Sequence, residues 1–237
     1  MKKSTFILIA TFVALATIAE SSHGERPVEG ELKPFLGAPR MEMEQVFQEQ
    51  RFPNIVVTMD GTILASFGSS EVMVRRSTDG GATWGPSISI AKPGFQGGGM
   101  TVDETNGDIL AFVEEKHPPA PLAVYRSSDD GKTWTRQETT IHADKNGHVP
   151  SMHMNDHGIT LRHGKHKGRL VRPSRHYGKV NSREEWPNHY TNAIYSDDGG
   201  KTWHASDPFP ENGTGEAAVA ELSDGRIYYN SRVHWQE

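Results

Sequence analysis

One octapeptide occurs three times in this chain and limits the possible folds more than any other feature. Its pattern is Ser-x-Asp-x-Gly-x-Thr-Trp, and the copies lie at 77–84, 127–134 and 196–203. The Ser and Asp side chains can bond back to a turn backbone, and Gly accepts a positive φ. Thr and Trp favour a strand, and the indole supplies apolar surface for burial. We therefore predict a hairpin turn at each copy, with an aspartate that shapes the turn and has no catalytic role.

A second repeat alternates with these octapeptides. It consists of two apolar segments joined by a polar turn such as Asp60-Gly61 or Asn106-Gly107, which is a strong hairpin signal. The two repeats together form a unit of four strands, and four-stranded units of about 40–50 residues are the blades of a β-propeller. We predict an all-β chain with about three and a half blades, the fourth having only its first two strands. A longer insertion is expected in blade three, between His176 and His189.

The N-terminus predicts export. Lys2 and Lys3 precede an apolar run from Phe6 to Ala19, which is typical of a signal peptide and short for a membrane span. We predict a signal peptide over residues 1–19 (with residue 24 as the latest cleavage point), a lead-in over 20–45 and a partial propeller over 46–237. The mature protein is then secreted or periplasmic, without a membrane span.

Composition narrows the classes of partner and cofactor. The chain has no Cys and a formal net charge of −5, so we expect neither disulfides nor nucleic-acid binding. A basic run between Arg162 and Arg175 is either an anion-attracting face or a solvated hairpin with its flanking strands, and the hairpin is favoured. His148, His153 and His157 precede a strand and not a metal-binding helix, so we expect no metal and no cofactor.

Three positions outside the boxes form an ordered set with them. Arg51 begins an Arg-Phe-Pro segment before the first strand, Glu216 begins Glu-x-x-Val-x-Glu-Leu, and Arg232 ends Asn-x-Arg. Together with the boxes, which match the pattern called the Asp box, this set resembles the exo-sialidases (neuraminidases), particularly the bacterial ones. The resemblance covers roughly residues 46–235. It implies a sialidase-like β-propeller, which has six blades in that family.

The resemblance also implies a reaction, the retaining hydrolysis of a terminal sialoside. Family members hold the sialic acid carboxylate with three arginines, and Arg51 and Arg232 match two of these. Guanidinium suits the task because it keeps its charge and donates in pairs. The family nucleophile is a tyrosine activated by a glutamate, which Glu216 matches. We therefore expect Glu216 to be catalytic, Arg51 and Arg232 to bind substrate, and the ligands to be sialylated or other acidic glycans.

Several residues that the family uses for catalysis and binding have no match in the sequence. The family's tyrosine and third arginine lie beyond the last residue of this chain, so we expect a C-terminally incomplete hydrolase. The loop between Phe67 and Arg75, which carries the acid/base aspartate in the family, is short here and has Glu71 as its only acid. An open propeller has unpaired edges, so the chain is either a fragment, which is favoured, or closes by self-association.

Other interpretations stay open at this point. The chain could be a carbohydrate-binding propeller without catalysis, a protein-interaction propeller, or a hydrolase of another acidic sugar such as a uronate. Arg175, His176 and Tyr177 follow the second strand of blade three. They either face the same rim as Arg232 or belong to a loop.

Overall fold

The computed structural model describes residues 43–48, 51–180 and 182–234, and these residues form an all-β structure. The predicted signal peptide lies outside the described residues. The strands of the described residues and their 3₁₀ turns, Gly164–His166 and Arg183–Asn188, fall within one compact unit, Gln45–Glu237. Within the described part of the chain, no helix is long and apolar enough to span a bilayer. The predicted all-β fold class is confirmed.

Blade one is a four-stranded antiparallel sheet in simple chain order. Its strands are β1 (Asn54–Val57), β2 (Ile63–Phe67), β3 (Val72–Ser77) and β4 (Ile88–Ala91). Asn54 pairs with Ser66 and Ile63 pairs with Ser77. The start of β1 and the end of β2 therefore lie at one end of the sheet, and the Asp box that follows β3 lies at the other.

Blade two repeats this order with a broken inner strand. Its strands are β5 (Phe95–Gln96), β6 (Thr101–Val102), β7 (Ile109–Glu114), β8 (Leu122–Ser127) and β9 (Thr135–Gln137). Both β5 and β6 pair with β7, and the glycines 97–99 interrupt the strand between them. A side chain at these glycines would collide with neighbouring atoms, since a Cβ at Gly99 would lie 2.4 Å from Asn54 Oδ1 and one at Gly98 would lie 2.7 Å from the Met152 carbonyl oxygen. Neighbouring backbone and side chains therefore approach this segment closely.

Blade three is complete, and the fourth unit has two strands among the described residues. Blade three contains β11 (Ile159–Thr160), β12 (Leu170–His176), β13 (Tyr190–Ser196) and β14 (Thr202–Ala205), with β10 (Thr140–Ile141) added in parallel beside β14. The long connection between β12 and β13 falls where the sequence predicts an insertion and holds the second 3₁₀ turn. The fourth unit pairs β15 (Thr214–Glu221) with β16 (Ile227–Val233).

The Asp boxes are turns closed by the aspartate. In the first box, Ser77 Oγ donates to Asp79 Oδ1 over 2.7 Å and accepts from the Gly81 amide over 2.9 Å. The Thr83 amide and hydroxyl donate to the same carboxylate over 2.9 and 2.5 Å. The second and third boxes repeat the bonds from Ser to Asp and from the Thr amide to Asp. Asp79, Asp129 and Asp198 therefore satisfy turn backbone, as predicted from the octapeptide.

Apolar clusters lie between successive blades. One joins blades one and two through residues such as Leu64 and Ile109, and a second joins blades two and three through Phe112 and Trp203. Leu161, Val171 and Val219 extend the core to β15. The central strands β7 and β12 are therefore buried on both faces, which removes the alternation expected of a half-buried strand.

The four arginines of the basic run are paired or buried. Arg162 forms an ion pair with Glu104 over 2.6 Å, and Arg169 pairs with Asp197 over 2.7 Å. Arg172 and Arg175 point inward from β12 and are 0% and 3% exposed. The run thus consists of a hairpin and its flanking strands, with its last two arginines inside the protein.

Among the three Asp-box tryptophans, the one in the third box should contribute most to the stability of the fold. Trp203 is 0% exposed and packs edge-to-face on Phe112, with ring centroids 5.2 Å apart. We expect Trp203→Ala to lower the free energy of unfolding by about 3–5 kcal/mol, because it leaves a cavity between two blades. Chemical denaturation would measure this. Trp84→Ala is the matched control, since Trp84 holds the same box position but is partly exposed. Equal losses for the two variants would contradict the assignment.

Candidate active site

The sequence-predicted residues Arg51, Glu216 and Arg232 line one cavity. Its volume is about 560 Å³, and it lies at the end of the sheets opposite to the Asp boxes. Each residue reaches it from a strand terminus, because Arg51 precedes β1, Glu216 lies near the start of β15 and Arg232 lies near the end of β16. The rest of the lining comes from 52–54, Gln96, Gly98, 154–156, Ala217, Ala218 and Asn230.

Glu216 and Arg232 are joined by an ion pair. Arg232 Nη1 donates to Glu216 Oε1 over 2.9 Å, and their side chains are 61% and 27% exposed. The pairing of β15 with β16 shifts between Thr214 and Ala217, and such irregularities re-aim the side chains that they carry. A cation and a carboxylate thus face the cavity together.

Arg51 brings a second guanidinium to the cavity. It lies over the Phe52 ring, 4.6 Å from the centroid, and forms no ion pair with the described residues. The backbone at this wall is strained: among the described residues, Phe52 (φ 60°) and Met154 (φ 58°) are two of three non-glycine residues with positive φ. Both line the cavity. Strain of this kind is concentrated at functional sites, which supports a ligand-binding role for this cavity.

Asp156 is a cavity residue that sequence reasoning missed. Its Oδ1 accepts from Asn54 Nδ2 (3.0 Å), the His157 amide (2.7 Å) and His157 Nδ1 (2.9 Å). The His157 ring, more than any other neighbour, holds the pKa of the Asp156 carboxyl well below its usual range, and burial opposes this only partly. The Asp156 amide also donates to the Ala217 carbonyl over 2.8 Å, beside Glu216. The sequence feature that could have indicated Asp156 is its position shortly before an inner strand, which is also the position of Arg51.

Glu71, the one acid in the short loop after β2, lies elsewhere. Its carboxylate pairs with Lys92 over 2.8 Å and does not line the cavity. Among the described residues, the carboxylates that line the cavity are those of Glu216 and Asp156. The structure therefore brings Arg51, Glu216 and Arg232 together and leaves Glu71 outside.

The three histidines considered as metal ligands separate in the structure. His148 stacks on His176, with ring centroids 3.8 Å apart, while His153 is buried among aromatic rings that include Phe95. His157 pairs with Asp156. No group of three or more potential ligands with metal-binding geometry occurs among the described residues.

Arg175 is buried beside Gly215, the residue that precedes Glu216. Its Nη2 donates to His189 Nδ1 over 2.8 Å and to His234 Nε2 over 3.1 Å, which fixes both rings with an accepting nitrogen. Burial lowers the pKa of Arg175 to about 10, whereas the nearby Tyr177 and Glu216 act in the opposite direction. Burial, then the Arg175 charge, lower the pKa of His189 to about 4, so this imidazole stays neutral near pH 7. Arg175, for which the sequence left a rim and a loop position open, is thus an interior cation.

Because Gly215 has no side chain, there is room beside it for the Arg175 guanidinium. A Cβ at this position would lie 2.6 Å from Arg175 Cζ and 2.1 Å from His234 Cε1. We expect Gly215→Ala to lower the free energy of unfolding by about 1–3 kcal/mol, because the buried guanidinium must move. Gly85→Ala is the control, since its Cβ would meet only an ordinary contact at 3.5 Å. A Gly215→Ala variant as stable as the control would show that Arg175 is not confined.

Glu114 should make stability depend on pH. Burial raises its pKa to about 7, although the Ser151 hydroxyl, the Met152 amide and Arg175 favour the charged form. Between about pH 4.5 and 7 the unfolded chain loses this proton while the folded chain keeps it, so the free energy of unfolding should fall as the pH rises. We expect Glu114→Gln to reduce this fall in denaturation curves measured across the range. Glu115→Gln, at the exposed neighbouring position, should leave the fall unchanged.

Comparison with known proteins identifies the family. Residues 68–237 match the family model described as a BNR repeat-like domain. The chain belongs to the BNR repeat-like domain family. In an alignment 272 positions long, it is 29% identical to a sialidase of Micromonospora viridifaciens. The alignment covers 98% of this chain and 41% of that protein. The resemblance to bacterial sialidases with Asp-box repeats is confirmed.

Solved structures show the same fold. The Hadza microbial sialidase Hz136 aligns with a TM-score of 0.61 and 24% identity, over 78% of this chain and 42% of that one. Trypanosoma rangeli sialidase in complex with the inhibitor DANA aligns with a TM-score of 0.54 and 23% identity, over 81% and 36%. The predicted sialidase-like β-propeller architecture is therefore confirmed. The chain spans about two fifths of the length of each of these three proteins.

Proposed function

We propose that this BNR repeat-like chain supplies substrate-binding and base residues to a sialidase-like glycoside hydrolase that removes terminal sialic acid from glycoconjugates. The observation that carries the proposal is the meeting of Arg51, Glu216 and Arg232 in one cavity, although about 180 residues separate the first from the last. The sialidase names of the relatives support the same function.

The cavity suits a single acidic sugar. Its volume of about 560 Å³ lies within the usual range of about 300–1,000 Å³ for small-molecule sites. Arg51 lines the cavity, and its guanidinium suits paired hydrogen bonds to a substrate carboxylate. Arg232 adds a second cation while it holds Glu216 in place. These contacts bind the sugar by the group that distinguishes sialic acid from neutral sugars.

Glu216 is proposed as the base. In the reaction implied by the family, a glutamate accepts the proton of a tyrosine nucleophile. Among the described residues no tyrosine lines the cavity, so the proposal assigns binding and proton acceptance to this chain and leaves the nucleophile unassigned. The signal-like N-terminus further supports export, where the glycan substrates are those met outside the cytoplasm.

A carbohydrate-binding propeller without turnover is the second candidate. The observation that favours it is the state of the cavity carboxylates, because Glu216 is paired with Arg232 and the pKa of Asp156 is held low. Neither is placed as a proton donor to a leaving group, and Glu71 lies outside the cavity. Turnover and binding must therefore be measured separately.

Arg51 and Glu216 should affect different quantities. We expect Arg51→Ala to weaken the binding of N-acetylneuraminic acid at least about tenfold, because a charged hydrogen-bond donor is lost. We expect Glu216→Gln to lower the turnover of a fluorogenic sialoside by about 100-fold or more with a smaller effect on binding. Calorimetry and a fluorescence assay would measure these effects.

The control is Arg226→Ala, which removes an exposed arginine paired with Asp224 in the turn of the same two-stranded sheet. Binding without turnover by the unmodified chain would favour the carbohydrate-binding candidate. Cleavage of a glucuronide in place of the sialoside would indicate a hydrolase of another acidic sugar. Failure to bind any acidic sugar would refute the proposal.

A further inference from the structure

Asp156 lines the same cavity as Arg51 and Arg232, and one of its two carboxylate oxygens accepts all of the carboxylate's hydrogen bonds from the described residues. Asn54 Nδ2, the His157 amide and His157 Nδ1 all donate to Oδ1. Oδ2 has no protein partner among the described residues, although the side chain is only 41% exposed. The carboxylate is thus fixed through one oxygen, and its other oxygen is available to accept a hydrogen bond from a ligand.

The charge on Asp156 has a buried counterpart. Arg172 is 0% exposed, and its Nη1 donates to Thr101 Oγ1 over 2.6 Å while Nε and Nη2 lack protein partners in the described part of the chain. Burial lowers the pKa of Arg172 to about 9, and the negative charge of Asp156 opposes that shift. A buried cation is costly unless an anion lies near it. Asp156 is therefore maintained as a carboxylate at the cavity wall.

Arg172 also lies just behind the lining. Its Nη2 is 3.3 Å from where a Cβ of Gly98 would be, and Gly98 itself lines the cavity. On the other side, the Asp156 amide bonds to Ala217 beside Glu216. The Asp156 backbone is therefore tied to the strand that carries the proposed base, and the buried Arg172 lies behind Gly98 in the same lining.

A ligand in this cavity meets two kinds of group. The arginines favour an anionic substituent, whereas a carboxylate with a free oxygen favours a hydroxyl or amide N–H donor and repels a second anion. An acidic sugar has both features, a carboxylate and several donors. The same contrast disfavours a sugar that carries a further negative group near Asp156.

We propose that Asp156 is a specificity-determining residue, which accepts a hydrogen bond from a hydroxyl or acylamino N–H of the acidic sugar and rejects ligands with a second anionic substituent there. This inference rests on the proposed function, since it places an acidic sugar in the cavity. It adds a group that the three family-matched residues do not supply, namely an acceptor that distinguishes one acidic sugar from another.

The test pairs changes in the protein with changes in the ligand. Calorimetry would measure the binding of N-acetylneuraminic acid, its monodeoxy analogues and its deacetamido analogue to the full chain and to Asp156→Asn and Asp156→Ala. We expect one analogue to lose about tenfold in affinity for the unmodified chain and to lose nothing further in Asp156→Ala, because the same hydrogen bond is already absent. We also expect Asp156→Asn to bind at least one O-sulfated derivative several-fold more tightly than the unmodified chain.

Controls separate this inference from the proposed function. Asp224→Asn removes an exposed carboxylate remote from the cavity and should leave every affinity unchanged. Asp156→Asn keeps an Oδ1 acceptor for Asn54 and His157, so it carries the test if Asp156→Ala does not fold. Additive losses for all analogues, with no gain for the sulfated ligands, would overturn the inference alone. An unmodified chain that binds no acidic sugar would overturn the proposed function and this inference together.

Discussion

The carboxylate of each Asp-box aspartate holds a strand-to-strand turn closed at one end of its sheet, and the rest of the structure depends on this interaction. Each carboxylate collects a hydroxyl and one or more amides from its own turn, so the turn needs no support from the other end of the blade. Burial and the Thr133 hydroxyl act in opposite directions on Asp129, and its pKa is lowered to about 2. The residues at the Asp-box end of each sheet thus have a structural role. The loops at the opposite end are free to differ from blade to blade, and they form the cavity.

Much of this arrangement could be predicted because the boxes and hairpin turns are local. The strands, the extra connection in blade three and the common end for Arg51, Glu216 and Arg232 follow from short-range patterns and antiparallel geometry. Asp156 could not be recognised in the same way, because its role depends on Asn54, 102 residues away, and on its contact with Ala217. Chain order alone does not show which strand starts meet around a cavity.

The burial of Arg172 and Arg175 could not be predicted from the sequence for another reason. β12 is buried along nearly its whole length, so Arg172 and Arg175 break no alternation that a sequence pattern would reveal. In the sequence they continue a basic run that extends into a surface turn. Only the packing of blade three between its neighbours directs one guanidinium towards Thr101 and the other towards His189 and His234. Physically, long-range packing decides whether a strand arginine pairs with a carboxylate at the surface or remains inside.

The broken inner strand of blade two has a consequence of its own. Because glycines occupy 97–99, the wall there is backbone, and the Arg172 guanidinium lies behind it without contributing any surface. Part of the electrostatic potential of the cavity is thus set by a residue that contributes nothing to its shape. Divergence at position 172 could retune which charges the cavity tolerates while its contour stays the same, so relatives with identical lining residues need not share the same ligands.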